Sequence, residues 1–171
     1  GHQDIYIASS SDSFATKTTV QVTANTSQQT APAIAVNAAN AVFLAWTDSR
    51  NGTSDIYGAA SDSGPWTNVA IATGAGNQSA VAIAADASGT RLHFAWADDA
   101  SGNSDIRYAS SDGLPASPLT GTIVVDDTSG ADQTAPTLVA AGSAGASSRV
   151  FVCWVDERNV DASGLDTDLY F

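Results

Sequence analysis

The stretch that decides the fold runs from Ala45 to Ala60 and reads AWTDSRNGTSDIYGAA. A second copy, AWADDASGNSDIRYAS, runs from Ala95 to Ser110. A third and longer copy, CWVDERNVDASGLDTDLYF, runs from Cys153 to Phe171. Because one pattern returns about every 50 residues, the chain is predicted to be built from stacked units of one kind.

A fourth trace of the pattern, DIYIASS, begins at Asp4. The aspartates that open the DIY-type segments stand 51, 50 and 63 residues apart. We therefore interpret residues 1–171 as a single repeat region. Its anchors are Asp4, Asp55, Asp105 and Asp168.

Each repeat contains four short strand signals and no sustained helical periodicity. The first is an alanine-rich segment with small side chains at alternate positions (PAIAV, VAIAA, PTLVA). The second is an apolar segment that ends in tryptophan (VFLAW, LHFAW, VFVCW). The DIY segment is the third, and the fourth is β-branched, as in TTVQVTA and TNVAIAT. This pattern predicts an all-β fold, namely a β-propeller of four-stranded antiparallel blades.

The chain holds about three such blades, whereas closed propellers typically have four to eight. A three-bladed arc would leave apolar blade faces uncovered. We expect the chain to form half of a six-bladed ring, completed by a second copy in a homodimer or by further blades of a longer chain.

Composition narrows the classes of partner. Lysine and arginine number 6 against 18 acidic residues, which gives a net charge of -12. Such a surface repels phosphate backbones and anionic membranes, so neither nucleic acid binding nor membrane insertion is expected. Few lysines and many Ser, Thr, Asn and Gly favour a secreted or cell-surface protein. The single cysteine, Cys153, is predicted to be a buried structural thiol.

The pattern WxDxRxGxxDIYxxxSxDxG, from Trp46 to Gly64, resembles the bacterial neuraminidase repeat of sialidase-like propellers. The segment 60–66 is similar to an Asp-box that is one residue short, and the segments 10–12 and 110–112 keep its opening. TolB-like propeller repeats are a weaker likeness. The resemblance implies a sialidase-like fold. Sialidases use three arginines, a tyrosine–glutamate pair and an aspartate, and no arginine here stands in the matching sequence context.

Two sets of residues are candidates for structural or binding roles. Asp12, Asp62 and Asp112 are predicted to cap turns by accepting backbone N–H bonds. The second set follows the tryptophans and either forms local ion pairs or lines one mouth of the propeller, where it binds a sugar or a cation. It comprises Asp48, Arg50, Asp98, Asp99, Asp156, Glu157 and Arg158.

The long third copy contains Asp161, Asp166 and Asp168, which together faintly resemble a calcium loop. Calcium is therefore the one cofactor that the sequence suggests. The full spacing of an EF-hand loop is absent from this segment. His93 takes the position of Phe43 and Phe151 and is predicted to be a packing residue. Trp66 is predicted either to stack on a sugar or to fill a gap between blades.

Intact repeats without a catalytic set favour a non-catalytic extracellular or cell-surface propeller unit for binding, scaffolding or assembly, with glycans as possible ligands. The alternative is a fragment of a sialidase-like glycoside hydrolase whose catalytic residues lie outside this chain. A third interpretation, a calcium-stabilised adhesion protein, rests on the aspartates alone.

Overall fold

The computed structural model describes residues 1–61, 65–87, 89–124, 130–142 and 149–158, and the backbone of residues 168–170. Every regular element among them is a β-strand, and all strand pairs are antiparallel. The predicted all-β fold is therefore confirmed. The part of the chain that the structure describes contains no helix that could span a membrane.

The strands form four sheets, and within each sheet neighbouring strands follow chain order. We call them the first sheet (β1–β2), the second (β3–β6), the third (β7–β10) and the fourth (β11–β13). The strands are β1 Tyr6–Ser9, β2 Thr18–Gln21, β3 Gln29–Val36, β4 Val42–Asp48, β5 Asp55–Ala60, β6 Val69–Ala72, β7 Gln78–Ala85, β8 Arg91–Asp98, β9 Asp105–Asp112, β10 Thr122–Ile123, β11 Gln133–Ala141, β12 Arg149–Asp156 and β13 Asp168–Tyr170.

The second and third sheets each have the four predicted strands in the predicted order. Their registers match, since Trp46 pairs with Tyr57 in the second sheet and Trp96 pairs with Arg107 in the third. Residues that face each other across a ladder point to the same side of the sheet. The repeated sequence therefore places equivalent side chains at equivalent points of each sheet.

The core lies between successive sheets. Phe43 and Ile56 of the second sheet form one buried cluster with Ile83 and Phe94 of the third. A smaller cluster joins the third and fourth sheets, and another joins the first and second. The tryptophan strands β4 and β8 are buried along almost their whole length, as their continuous apolar sequences predict. Strand β12 is not, because one of its faces has no sheet against it among the described residues.

A backbone hydrogen bond links each sheet to the one before it. The N–H at the start of β3, β7 and β11 donates to a carbonyl that lies just before the DIY strand of the preceding sheet, which is β1, β5 or β9. The three donor–acceptor pairs are Gln29 to Gln3 at 2.9 Å, Gln78 to Ser54 at 2.7 Å and Gln133 to Ser104 at 2.7 Å.

The residue before each of these glutamines adds a second link, because its side-chain oxygen accepts from the backbone of the preceding sheet. Gln28 accepts from the N–H of Gln3 at 3.1 Å, and Asn77 accepts from Ser54 at 3.2 Å. Asp132 accepts from Ser104 at 2.8 Å. The same link thus recurs three times with three different side chains.

Strands β3, β7 and β11, the first strands of the second, third and fourth sheets, each carry a β-bulge where an alanine adopts a left-handed backbone. Ala31, Ala80 and Ala135 have φ values of 48°, 50° and 49°. The ladder shifts register at the same points, for example between Ser79 and Ala82. An alanine in this region is strained relative to glycine. Each copy of the repeat therefore contains a strained alanine, which the alternating apolar sequence of the strand does not predict.

We predict that Ala80→Gly raises the free energy of unfolding by up to about 1 kcal/mol. Left-handed backbone costs alanine about 1–2 kcal/mol, and glycine loses about 0.5–1 kcal/mol through its extra chain entropy. Urea unfolding followed by tryptophan fluorescence measures the change. The control Ala82→Gly lies just beyond the bulge and should be destabilising. Equal destabilisation by both variants would contradict the strained bulge.

Candidate functional site: the tryptophan–aspartate corner

The corner of the second sheet is built on Asp48, the last residue of β4, whose side chain is fully buried. The indole Nε1 of Trp46 donates to its carboxylate at 3.0 Å. The backbone N–H and the Nε of Arg50 donate to Oδ1 at 3.0 and 2.9 Å, and Nη2 donates to Oδ2 at 2.6 Å. The turn after β4 is thereby folded back onto the carboxylate.

These contacts explain how a buried carboxylate stays charged. Burial acts to raise the pKa of Asp48, but the hydrogen bonds from Arg50 and Trp46 outweigh it and leave the pKa below its ordinary value. The guanidinium is held in turn, since it lies 4.1 Å from the ring centre of Tyr57 and donates to Asn68 Oδ1 at 3.2 Å. Both members of the ion pair are thus held by further contacts.

The fourth sheet repeats this corner. Trp154 Nε1 donates to Asp156 at 3.1 Å, and the backbone N–H and Nε of Arg158 donate at 3.0 and 2.9 Å. Burial again acts to raise the pKa of Asp156, and the bonds from Arg158 and Trp154 lower it overall. The predicted local ion pairs are therefore present in both copies that contain the Asp-x-Arg sequence.

The third sheet holds its aspartate in a different way. Ala100 replaces the turn arginine, and only its backbone N–H donates to Asp98, at 3.1 Å. The cation comes instead from Arg107 on β9, whose Nε lies 3.2 Å from Asp98 Oδ2. Arg107 stands at the ladder position of Tyr57. Sequence reasoning did not assign it a role, although its place in the DIY pattern was the available signal.

Two further candidates, Asp99 and Glu157, lie one residue beyond the corners. The Asp99 carboxylate is exposed and accepts from the Asn77 backbone N–H at 2.5 Å and from Asn77 Nδ2 at 2.9 Å. The Asn77 side-chain and backbone bonds lower the pKa of Asp99. The Glu157 backbone N–H donates to Asp132 at 3.1 Å. Both residues contact the side of the corner that connects to the preceding sheet, and a ligand role for them stays a prediction.

Asp12 is a turn residue as predicted. Its carboxylate accepts from Ser10 Oγ at 2.6 Å, from the Thr16 N–H at 2.9 Å and from Thr16 Oγ1 at 2.7 Å. These bonds, that from Ser10 first, lower its pKa to about 2. Thr16 went unnoticed in the sequence, although a Ser-x-Asp-x-x-x-Thr spacing was there to be read. Asp112 behaves differently, because it ends β9 and its carboxylate lies 3.2 Å from Arg91 Nε.

Three of the predicted site residues lie outside the part of the chain that the structure describes, namely Asp62, Asp161 and Asp166. Asp168 begins β13 and pairs with Asp156 along the backbone ladder. No group of three metal-binding side chains is close enough to hold a metal within the described ranges. Calcium binding by the third copy therefore stays a prediction.

Three buried glutamines open the first strands and were missed by sequence reasoning. Their Nε2 groups donate to nearby carbonyls, from Gln29 to Ser27 at 2.8 Å and from Gln78 to Ala75 at 3.0 Å. Gln133 does the same to Ala131 at 2.9 Å. The signal was a glutamine followed by a small hydroxyl residue and alanine in every copy. Each glutamine pairs with the corner aspartate of its own sheet.

His93 is buried in the third sheet, and its Nδ1 lies 2.8 Å from the hydroxyl of Tyr108. Burial lowers its pKa, Asp86 opposes that shift, and Arg91 adds to it. Its place in a packed strand agrees with the predicted packing role.

Trp66 packs against the cluster that contains Trp46, which agrees with the gap-filling alternative. Cys153 is partly exposed, not fully buried as predicted, because it lies on the uncovered strand β12.

The comparisons with known proteins add no family assignment. The chain matches no protein-family model, and a search of curated proteins found no similar sequence.

We predict that Asp48→Asn lowers the free energy of unfolding by about 3 kcal/mol. The amide nitrogen would face the buried donors of Arg50 and Trp46, and removing one member of a buried ion pair leaves the other uncompensated. Urea unfolding gives the value. Asp112→Asn, which breaks an exposed pair, is the matched control and should change stability by less than about 0.5 kcal/mol. Similar losses in both variants would show that the corner carries no special stability.

We also predict that stability falls as the pH is lowered through the ordinary pKa of histidine, 6.5. Because the folded protein lowers the pKa of His93, the unfolded chain takes up that proton first, which favours unfolding. His93→Phe, which copies Phe43, should flatten the dependence of unfolding free energy between about pH 7.5 and pH 5.5. The slope of the unchanged protein over the same pH range is the reference. A slope that persists in His93→Phe would contradict this assignment.

Proposed function

We propose that the chain is a non-catalytic β-propeller unit, extracellular or at the cell surface, whose sheets are blades and whose function is assembly and binding. The observation that carries the proposal is the repetition of one interface between successive sheets. The same backbone link joins the first sheet to the second, the second to the third and the third to the fourth. Each of these junctions also encloses a buried apolar cluster.

The outermost faces support further stacking. Phe43 is 4% exposed against the third sheet, whereas its equivalent in the fourth sheet, Phe151, is 57% exposed. Ile83 is 7% exposed against the second sheet, whereas its equivalent in the second sheet, Ile34, is also 57% exposed. Val139 is exposed beside Phe151, and Val36 is exposed beside Ile34. The two end faces therefore carry the two halves of an interface that is closed elsewhere in the chain.

These halves differ from each other, so they fit head to tail. A ring of six blades made from two copies, or from further repeats in a longer chain, would bury both. The first sheet covers only part of the second, because its Ile5 and Val22 pack near Leu44 and Trp46 and leave Ile34 open. A completed blade at this position would cover the remaining apolar surface.

The arrangement of arginines also supports a non-catalytic unit. Arg50, Arg107 and Arg158 each approach the corner aspartate of their own sheet. Each of them lies beside the aspartate of its own corner, and the three do not gather at a common site. The turn made by Ser10, Asp12 and Thr16 is consistent with the resemblance to Asp-box propellers, and so it supports the fold without adding a reaction.

Light scattering after size exclusion tests the assembly. We predict that the chain of 17.3 kDa self-associates and elutes with a mass at least twice that value. Phe151→Ser and Ile34→Ser should each reduce the mass, because each removes an apolar side chain from one end face. Ile123→Ser, exposed on the short outer strand β10, is the control and should not. A stably folded monomer would contradict assembly through these faces.

A further inference from the structure

The third sheet departs from the second at three positions around its corner. Arg50 contacts both Tyr57 and Asn68 in the second sheet. Their equivalents in the third sheet are Ala100, Arg107 and Gly121, as the strand registers show. Two large side chains are thus lost, and an arginine replaces the aromatic ring on which the turn arginine lay.

A cavity of about 230 Å³ lies at this position. Asp98, Ala100 and Arg107 line one side, and segments 73–75 and 118–120 line the other. The second segment is held in place by the Leu119 N–H, which donates to Ile71 at 2.7 Å. The cavity therefore has walls fixed by two sheets and a charged pair within it. Liquid water takes about 30 Å³ a molecule, so the volume suits one small ligand.

Two buried donors at this corner have no hydrogen-bond partner among the described residues. Trp46 and Trp154 donate through Nε1 to their aspartates, whereas Trp96 Nε1 has no hydrogen-bond partner among the described residues. Arg107 Nε lies near Asp98, but the angle does not make a hydrogen bond, and it too is buried without a partner there. Buried donors without partners are costly. Because Arg107 lines the cavity, an acceptor bound there could satisfy its Nε and would be stabilising.

We propose that this cavity is a binding site for a neutral, polyhydroxylated ligand the size of one sugar ring. Asp98 balances the charge of Arg107, and the net charge of -12 disfavours an added anion. A hydroxyl group both donates and accepts, so it can use the carboxylate and the guanidinium together. Pro118 and Leu119 supply an apolar wall for the carbon face of a ring. This site lies within one chain and goes beyond the proposed assembly.

The test is ligand-observed NMR with the methyl glycosides of glucose, galactose, mannose and N-acetylglucosamine, and with acetate as the anionic probe. We expect at least one glycoside to bind with a Kd of about 1 mM, the affinity typical of a ligand of this size. Ala100→Arg/Arg107→Tyr restores the side chains of the second sheet and should weaken binding at least tenfold. Ala100→Tyr, which narrows the mouth and leaves Asp98 and Arg107 intact, should do the same.

The matched control is Arg91→Gln, which removes an exposed arginine outside the cavity and should bind as the unchanged protein does. Near-ultraviolet circular dichroism shows whether each variant keeps its fold. The proposal is overturned if no glycoside binds at 10 times the expected Kd, if both filled variants bind normally, or if acetate binds and the glycosides do not. Binding measured in Phe151→Ser separates this site from the proposed assembly, since that variant alters only an end face.

Discussion

The fold depends on burying one carboxylate at the end of the second strand of each complete repeat. An unpaired carboxylate in such a place would be costly, so its neighbours must supply hydrogen bonds and a positive charge. In the second sheet, Trp46 and Arg50 do so for Asp48 at distances between 2.6 and 3.0 Å. The tryptophan must then lie two residues before the aspartate, and the turn must fold back over it. The repeated sequence around each corner follows from this requirement.

The corner also governs how sheets are joined. Directly after each corner aspartate, a backbone N–H donates to the residue that precedes the buried glutamine, as in Ser49 to Gln28 at 3.0 Å and Asp99 to Asn77 at 3.1 Å. That acceptor residue reaches the preceding sheet through its own side chain, as Asn77 does to Ser54. A well-folded corner therefore fixes the spacing between two sheets. The sheets therefore stack, and leave two uncovered end faces, as a consequence of the hydrogen bonds and positive charge that the buried carboxylate requires.

Much of the fold and of the corners could be predicted from the sequence, because residues that recur in every repeat mark the positions that the fold requires. The tryptophan strands, the ion pairs after them and the four-strand order all follow from residues that recur. The sequence shows that Arg107 takes the place of Tyr57 in the DIY pattern, but not that it contacts Asp98, because that contact depends on the register between β8 and β9. The left-handed alanines were also hidden, since an alanine in a bulge and an alanine in a regular strand look alike. Thr16 was overlooked because the resemblance to an Asp-box covers only residues 10–12 there and ends before it.

The central claim is that each corner needs one guanidinium and accepts it from either of two positions. A double-mutant cycle between Ala100→Arg and Arg107→Tyr tests this most directly. Ala100→Arg should change the free energy of unfolding little while Arg107 is present, because two cations would share one carboxylate. In the Arg107→Tyr background, the same substitution should raise the free energy of unfolding. The account predicts a favourable coupling energy of about 1 kcal/mol or more, measured by urea unfolding. Additive effects at the two positions would contradict it.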